Sequence, residues 1–350
     1  MRSVGGVRPL MRALCAAVCL VMFASMSASA RPDSLVSYPV TFPGHDITTG
    51  PDGAMWFTSD TDGQIGRLAT DGAFTSYPTG HAFVRGITAS PDGALWFTAG
   101  DCAPSCTTTI GRMSIAGIVT STYALPRASV IGREIVTGPD GALWFTAVSA
   151  CCAPIARDVI GRITTAGRLR VFPLPSGQGL ANSGAITSGP HRLWFIEPDA
   201  IGRIGARGRF SSPFAAPGAD GDITVGPDGA LWYSAGDGAI GRITRRGHIT
   251  VYPIPACGTP SALTSGPDGN LWFAGGAIGR VTTSGVATEW AIPRDAEQIP
   301  DITSGPDGHL WAPVVSNTAR RPDSIARIPA AGPAQHGGPH AGECRTLHGV

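Results

Sequence analysis

The chain has 350 residues, 15% of them charged, with 26 basic against 25 acidic side chains. Every basic side chain is an arginine, which excludes chemistry that needs a lysine as Schiff base or general base. So even a balance leaves no basic excess to hold nucleic acid, and none is expected as a partner.

The first thirty residues read as a secretory signal peptide. Arg2, Arg8 and Arg12 precede an apolar run from Ala13 to Met26, and Ala28-Ser29-Ala30 supplies a small-x-small cleavage signal. Cleavage after Ala30 is expected, giving an exported protein, periplasmic or extracellular, with 23 basic against 25 acidic residues. No later stretch is long and apolar enough to span a bilayer. Cys102, Cys106, Cys151, Cys152, Cys257 and Cys344 remain after cleavage, and an even set in an exported chain predicts disulfides whose pairing the sequence leaves open.

From Leu35 the chain opens with a short β-prone segment, LVSYPV, and then enters a repeat. Its tryptophans are Trp56, Trp96, Trp144, Trp194, Trp232, Trp272 and Trp311. Each unit reads as four strands. An Ile-Thr strand enters a Gly-Pro-Asp-Gly turn, where Pro presets the first angle and Gly takes a positive one. Leu-Trp-Phe leaves it as the second strand, Ile-Gly-Arg forms the third, and a Tyr-Pro segment forms an outer strand that can spare a backbone donor. Blade four departs from this with GPHRLWF, one residue short in the turn, and blade seven carries Ile325-Ala326-Arg327 in place of Ile-Gly-Arg.

Four-stranded units at this period are propeller blades. The last unit has no Tyr-Pro strand of its own, so the orphan LVSYPV completes it and closes the ring. The expected organisation is an all-β, seven-bladed β-propeller over residues 31–329, monomeric, behind the 1–30 signal peptide and before a flexible tail at 330–350. Long insertions follow the second strands of blades two, three and seven. They mark one rim as elaborated, which is where function is sought.

At GPDGALWFTA, with IGRIT and YPIP, the sequence resembles the virginiamycin B lyase family over nearly all of the mature chain. The resemblance implies a seven-bladed propeller, and an enzyme that opens the lactone of streptogramin B antibiotics by elimination with magnesium and a histidine base. It also implies a Glu-x-His-x-Ile run entering one innermost strand, a second His in the preceding blade, and a Trp-Phe-x-Glu strand end.

Two residues before the first branched residue of each innermost strand stand His45, Arg85, Arg133, Gly184, Gly221, Ser261 and Pro300. One His is present, and no acid stands two residues ahead of any of the seven. Only Glu197 matches the strand-end acid, in the blade that has Gly184 in place of His. His45 and Glu197 are therefore the candidate catalytic residues of a diverged lyase, with Glu197 as its candidate metal ligand and magnesium as its cofactor. The alternative carries no catalysis. His45, Arg85 and Arg133 form a one-sided cationic patch in the central funnel, fitted to a small anionic ligand, unless the arginines pair with Asp46 or Glu134. A third reading is a propeller whose rim loops hold a protein partner. The turn aspartates are expected to cap their own turns, and the repeated arginines to be structural groups between blades. The tail residues His336, His340, Cys344 and His348 are expected to be disordered rather than to capture metal.

Overall fold

The computed structural model describes residues 35–102, 106–126, 130–149, 157–175, 179–236, 238–254, 260–290, 296–316 and 322–332. The expected signal peptide, Cys151, Cys152, Cys257, Cys344 and the residues from 333 on lie outside these residues. No helix among the described residues is long and apolar enough to cross a membrane.

Seven antiparallel sheets make up the fold. Blade three is representative, with strands Val130–Thr137, Leu143–Ser149, Val159–Ile163 and Leu169–Pro173 paired in chain order. The innermost strands touch their neighbours all the way round, and Ile47–Thr49 of blade one meets Thr303–Ser304 of blade seven. Ring closure is as the repeat predicts: Val36–Pro39 pairs with Ser324–Ile328, and Tyr38 faces Ile325. In blade seven the innermost strand is broken into Ala296–Gln298 and Thr303–Ser304. Pro300 lies in the break, where it has no backbone N–H to give.

Strand alternation builds the core between blades. In Leu143-Trp144-Phe145, Leu143 and Phe145 pack with Trp96 and Ile110 of blade two, while Trp144 packs with Leu193 and Phe195 of blade four. Each repeat Trp also stacks on an aromatic residue of its own blade's outer strand, as Trp144 does on Phe172 with centroids 5.8 Å apart. Tyr38 supplies that ring for Trp311 at 5.6 Å, so the N-terminal strand completes blade seven in packing as well as in pairing.

The turn aspartates do more than cap. Asp140 accepts the Ala142 N–H and the Trp144 Nε1–H on one oxygen, and the Arg162 Nε–H at 2.7 Å on the other. Six of the seven repeated arginines are thus held within a blade by that blade's own turn aspartate, and not between blades as the sequence suggested.

Candidate functional site

The bend where each innermost strand begins decides what faces the axis. In blades two and three the ladder shifts register between Val84 and Ile87 and between Gly132 and Ile135, so two residues oppose one. Such a bulge re-aims side chains, and here it turns Arg133 and Glu134, adjacent in sequence, toward the same cavity. Buried threonines of the second strands pin these bends. Thr58 donates to the Arg85 carbonyl at 2.5 Å, and Thr98 donates to the Arg133 carbonyl at 2.6 Å while accepting the Gly86 N–H. Gly184 leaves room for the Arg133 stem, since a Cβ there would collide with it.

The cavity at the axis holds about 330 Å³ and brings together the predicted His45, Arg85 and Arg133. Gly221, Ser261 and Pro300, from the same sequence row, line the opposite wall. Among the described residues neither arginine has an ion-pair or side-chain hydrogen-bond partner. Arg85 Nε, Arg133 Nε and His45 Nδ1 are buried donor or acceptor atoms left unmatched. Arg85 lies over the Phe83 ring at 5.5 Å. His45 Nε2 is 4.0 Å from Asp60. Burial lowers the His45 pKa; Asp60 opposes that shift, while the Arg85 and Arg133 charges add to it. Burial and the Arg85 charge likewise weaken the proton's hold on Arg133.

A second row, one residue further along each strand, contributes four carboxyl groups: Asp46, Glu134, Asp222 and Asp301. They do not pair with the arginines. Each instead accepts a backbone N–H from the next blade: Asp46 from Ile87 at 2.7 Å, Glu134 from Ile186 at 3.0 Å, Asp222 from Leu263 at 2.7 Å and Asp301 from Ile47 at 2.9 Å. Gly86, Ala185 and Ala262 hold this place in blades two, four and six. The acids therefore alternate, and in a ring of seven the alternation must put two side by side. Those two are Asp301 of blade seven and Asp46 of blade one, hydrogen-bonded to one another. Burial, then the neighbouring Asp301, pushes Asp46 well above the ordinary carboxylate range. Burial also pushes Glu134 well up and Asp222 to about 7.

The sequence reading, which looked two residues before the strand, named Asp46 and Glu134 only as possible partners of the arginines and missed Asp222 and Asp301. Strict alternation would send the next residue to the opposite face; register shifts override it at Glu134 and Asp222, and the break in blade seven's innermost strand at Asp301. The signal was present as an acid in four of seven equivalent places.

Glu197 is not brought to His45. It ends the strand Arg192–Glu197, is 5% exposed, packs against Gly202, and does not line the channel cavity. Burial raises its pKa. Among the described residues no three His, Cys, Asp or Glu side chains lie close enough together to hold a metal ion. The channel carboxyls are each tied to a backbone N–H of the next blade, and burial raises their pKa, so the donors present do not fit the magnesium that the resemblance implies. Cys102 and Cys106 are register partners across the end of the blade-two hairpin.

What the arrangement offers is a cationic side spanning blades one to three, a wall of small residues opposite, and a floor of carboxyls able to donate as well as accept hydrogen bonds. A small anion fits that division.

The virginiamycin B lyase family profile matches residues 31–217 and 187–335. Three solved structures superpose on 84% of the chain. Streptogramin B lyase does so with 27% identity and a TM-score of 0.66 over 96% of its own length. Virginiamycin B lyase from Staphylococcus aureus has 31% identity and a TM-score of 0.67 over 99% of its length. A catalytically inactive variant of the Staphylococcus aureus lyase, with quinupristin, gives 31% and 0.67 over 98%. Curated protein sequences give no match.

Proposed function

The chain belongs to the virginiamycin B lyase family, and from that premise we propose that it is an exported binding member of it, taking a small anionic ligand at the mouth of the central channel without the lyase reaction. One observation carries this reading: Arg85, Arg133 and His45 converge on one cavity with buried polar atoms that nothing among the described residues satisfies. A buried Nε–H without an acceptor is costly, and a carboxylate, sulfate or phosphate supplies bidentate acceptors in the geometry a guanidinium prefers. His45 stands without a paired histidine or carboxylate ligand set, which separates the site from a metal-assisted base.

Calorimetric titration with acetate, benzoate, sulfate, phosphate and citrate tests the reading. At least one should bind, and Arg85→Ala with Arg133→Ala should weaken it at least tenfold, or about 1.4 kcal/mol. The proposal is removed if none of the five binds, or if none of those that bind loses at least tenfold affinity in the doubly substituted protein. In parallel, the protein is incubated with a streptogramin B and magnesium and followed by chromatography, because elimination opens the lactone without changing its mass. Unchanged substrate is expected; a linear isomer would replace the binding reading with a lyase. Export is tested by sequencing the amino terminus of the secreted protein, which should begin at Arg31.

A further inference from the structure

Blade four differs from its six companions at one chemical group. In those six, an aspartate of the Gly-Pro-Asp or Ser-Pro-Asp turn faces the third-strand arginine. Five of these arginines donate Nε–H to it at 2.6 to 2.8 Å, and Arg280 does so through Nη1 at 3.3 Å. In five of the six the same carboxylate also accepts the tryptophan indole N–H, at 2.9 to 3.0 Å. The blade is thus built around a carboxylate bridging an indole and a guanidinium.

In blade four the turn is Gly189-Pro190-His191-Arg192, closed by the Gly189 N–H to the Arg192 carbonyl at 2.9 Å, and it brings no carboxylate. The donors remain. Arg203 Nε is buried with nothing to donate to, and the half-buried Trp194 makes no indole hydrogen bond among the described residues, a lack shared among the repeat tryptophans only by the fully buried Trp96 of blade two. Arg203 is held in place by stacking, 4.6 Å from the Phe214 centroid and 6.0 Å from that of Trp194. The six other repeat tryptophans are fully buried, whereas Trp194 is open in part. It opens onto a cavity of about 350 Å³ at the turn end of the strands, the opposite end from the channel mouth. Arg192, Arg203 and Arg245 line this cavity, no Asp or Glu does, and Val225, Leu231 and Ile243 of blade five give it an apolar wall.

We propose that blade four carries a second ligand site, in which the carboxylate of a small amphipathic acid takes the place filled by a turn aspartate in the other blades. The carboxylate accepts from Arg203 and the Trp194 indole, Arg192 and Arg245 add positive charge, and the acid's apolar part lies against blade five. This site is independent of the channel mouth in position and in residues.

Benzoate is the probe, with the Trp194 indole N–H resonance, assigned by its loss in Trp194→Phe, as the readout. Benzoate should shift that resonance saturably, and phosphate, which lacks the apolar part, should bind at least tenfold more weakly. Arg203→Met should weaken benzoate at least tenfold. Replacing His191 with the dipeptide Asp-Gly restores the companion turn and supplies an internal carboxylate; it should abolish the shift while raising the melting temperature, which shows that the fold is intact. Arg85→Ala with Arg133→Ala should leave the Trp194 response unchanged. The proposal is overturned if benzoate does not move the Trp194 resonance, if the response persists in both blade-four variants, or if phosphate binds as tightly as benzoate.

Discussion

Arg85 and Arg203 are both half-buried guanidinium groups without a carboxylate, for different reasons. Asp46 and Glu134, which line the same cavity as Arg85, are engaged by backbone N–H groups of other blades, while Arg203 lacks a turn residue that every other blade has. Asp140 shows what that residue does in its own blade. Asp140→Ala should cost about 1–3 kcal/mol in urea unfolding, because it strands the Trp144 indole and the Arg162 guanidinium. His191→Ala should stay within about 0.5 kcal/mol. The two sets of carboxyls also titrate in opposite senses. Arg and indole donors hold the turn aspartates below their ordinary range, for Asp140 against an opposing desolvation. The stability they contribute is lost as pH falls below about 4. Asp222 is raised to about 7, so the folded state holds a proton that the unfolded chain gives up, and stability falls as pH rises from about 4 to about 7. Asp222→Asn should flatten that decline, since an amide oxygen still accepts the Leu263 N–H; an unaltered slope would contradict the assignment. The sequence showed the turn role of aspartate because its spacing repeats. The partner of each arginine was not legible, because that depends on which way a third-strand side chain leans.

Among the elements, the second and third strands of each blade are matched pairs. A Phe or Tyr ring of the second strand lies flat over the Gly of Ile-Gly-Arg, as Phe145 does over Gly161, where a Cβ would fall inside the ring's van der Waals surface. Gly161→Ala should therefore destabilise by about 1–3 kcal/mol through overpacking, read as a lower urea midpoint with unchanged m-value. Blade seven accounts for its own exception. Ala312 stands where the ring would be, and opposite it is Ala326, the residue that makes Ile-Ala-Arg. Both changes were visible in the sequence, but their connection is a cross-strand register. The innermost strands hid more: periodicity placed their apolar residues correctly, while the bulges that turn Arg133 and Glu134 to one side leave no mark on a period-two pattern.

Seen whole, the molecule is a ring closed by its first strand, and the repeat count was enough to foretell it. Closure makes equivalent residues neighbours about one axis, which is why a row of seven letters, one from each blade, located the channel lining. An odd blade number also forces the alternating acids to meet once, at the seam where Asp46 and Asp301 stand side by side in the cavity that His45 also lines. The cationic side chains of the channel are thus gathered over blades one to three, and that is where the proposed anion would bind. Diffraction from crystals soaked in selenate, recorded at the selenium edge, examines that place directly. An anomalous peak against the Arg85 and Arg133 guanidinium groups, absent from crystals of the doubly substituted protein, is the predicted result. A channel mouth without selenium, in crystals that take it up elsewhere, would contradict the account.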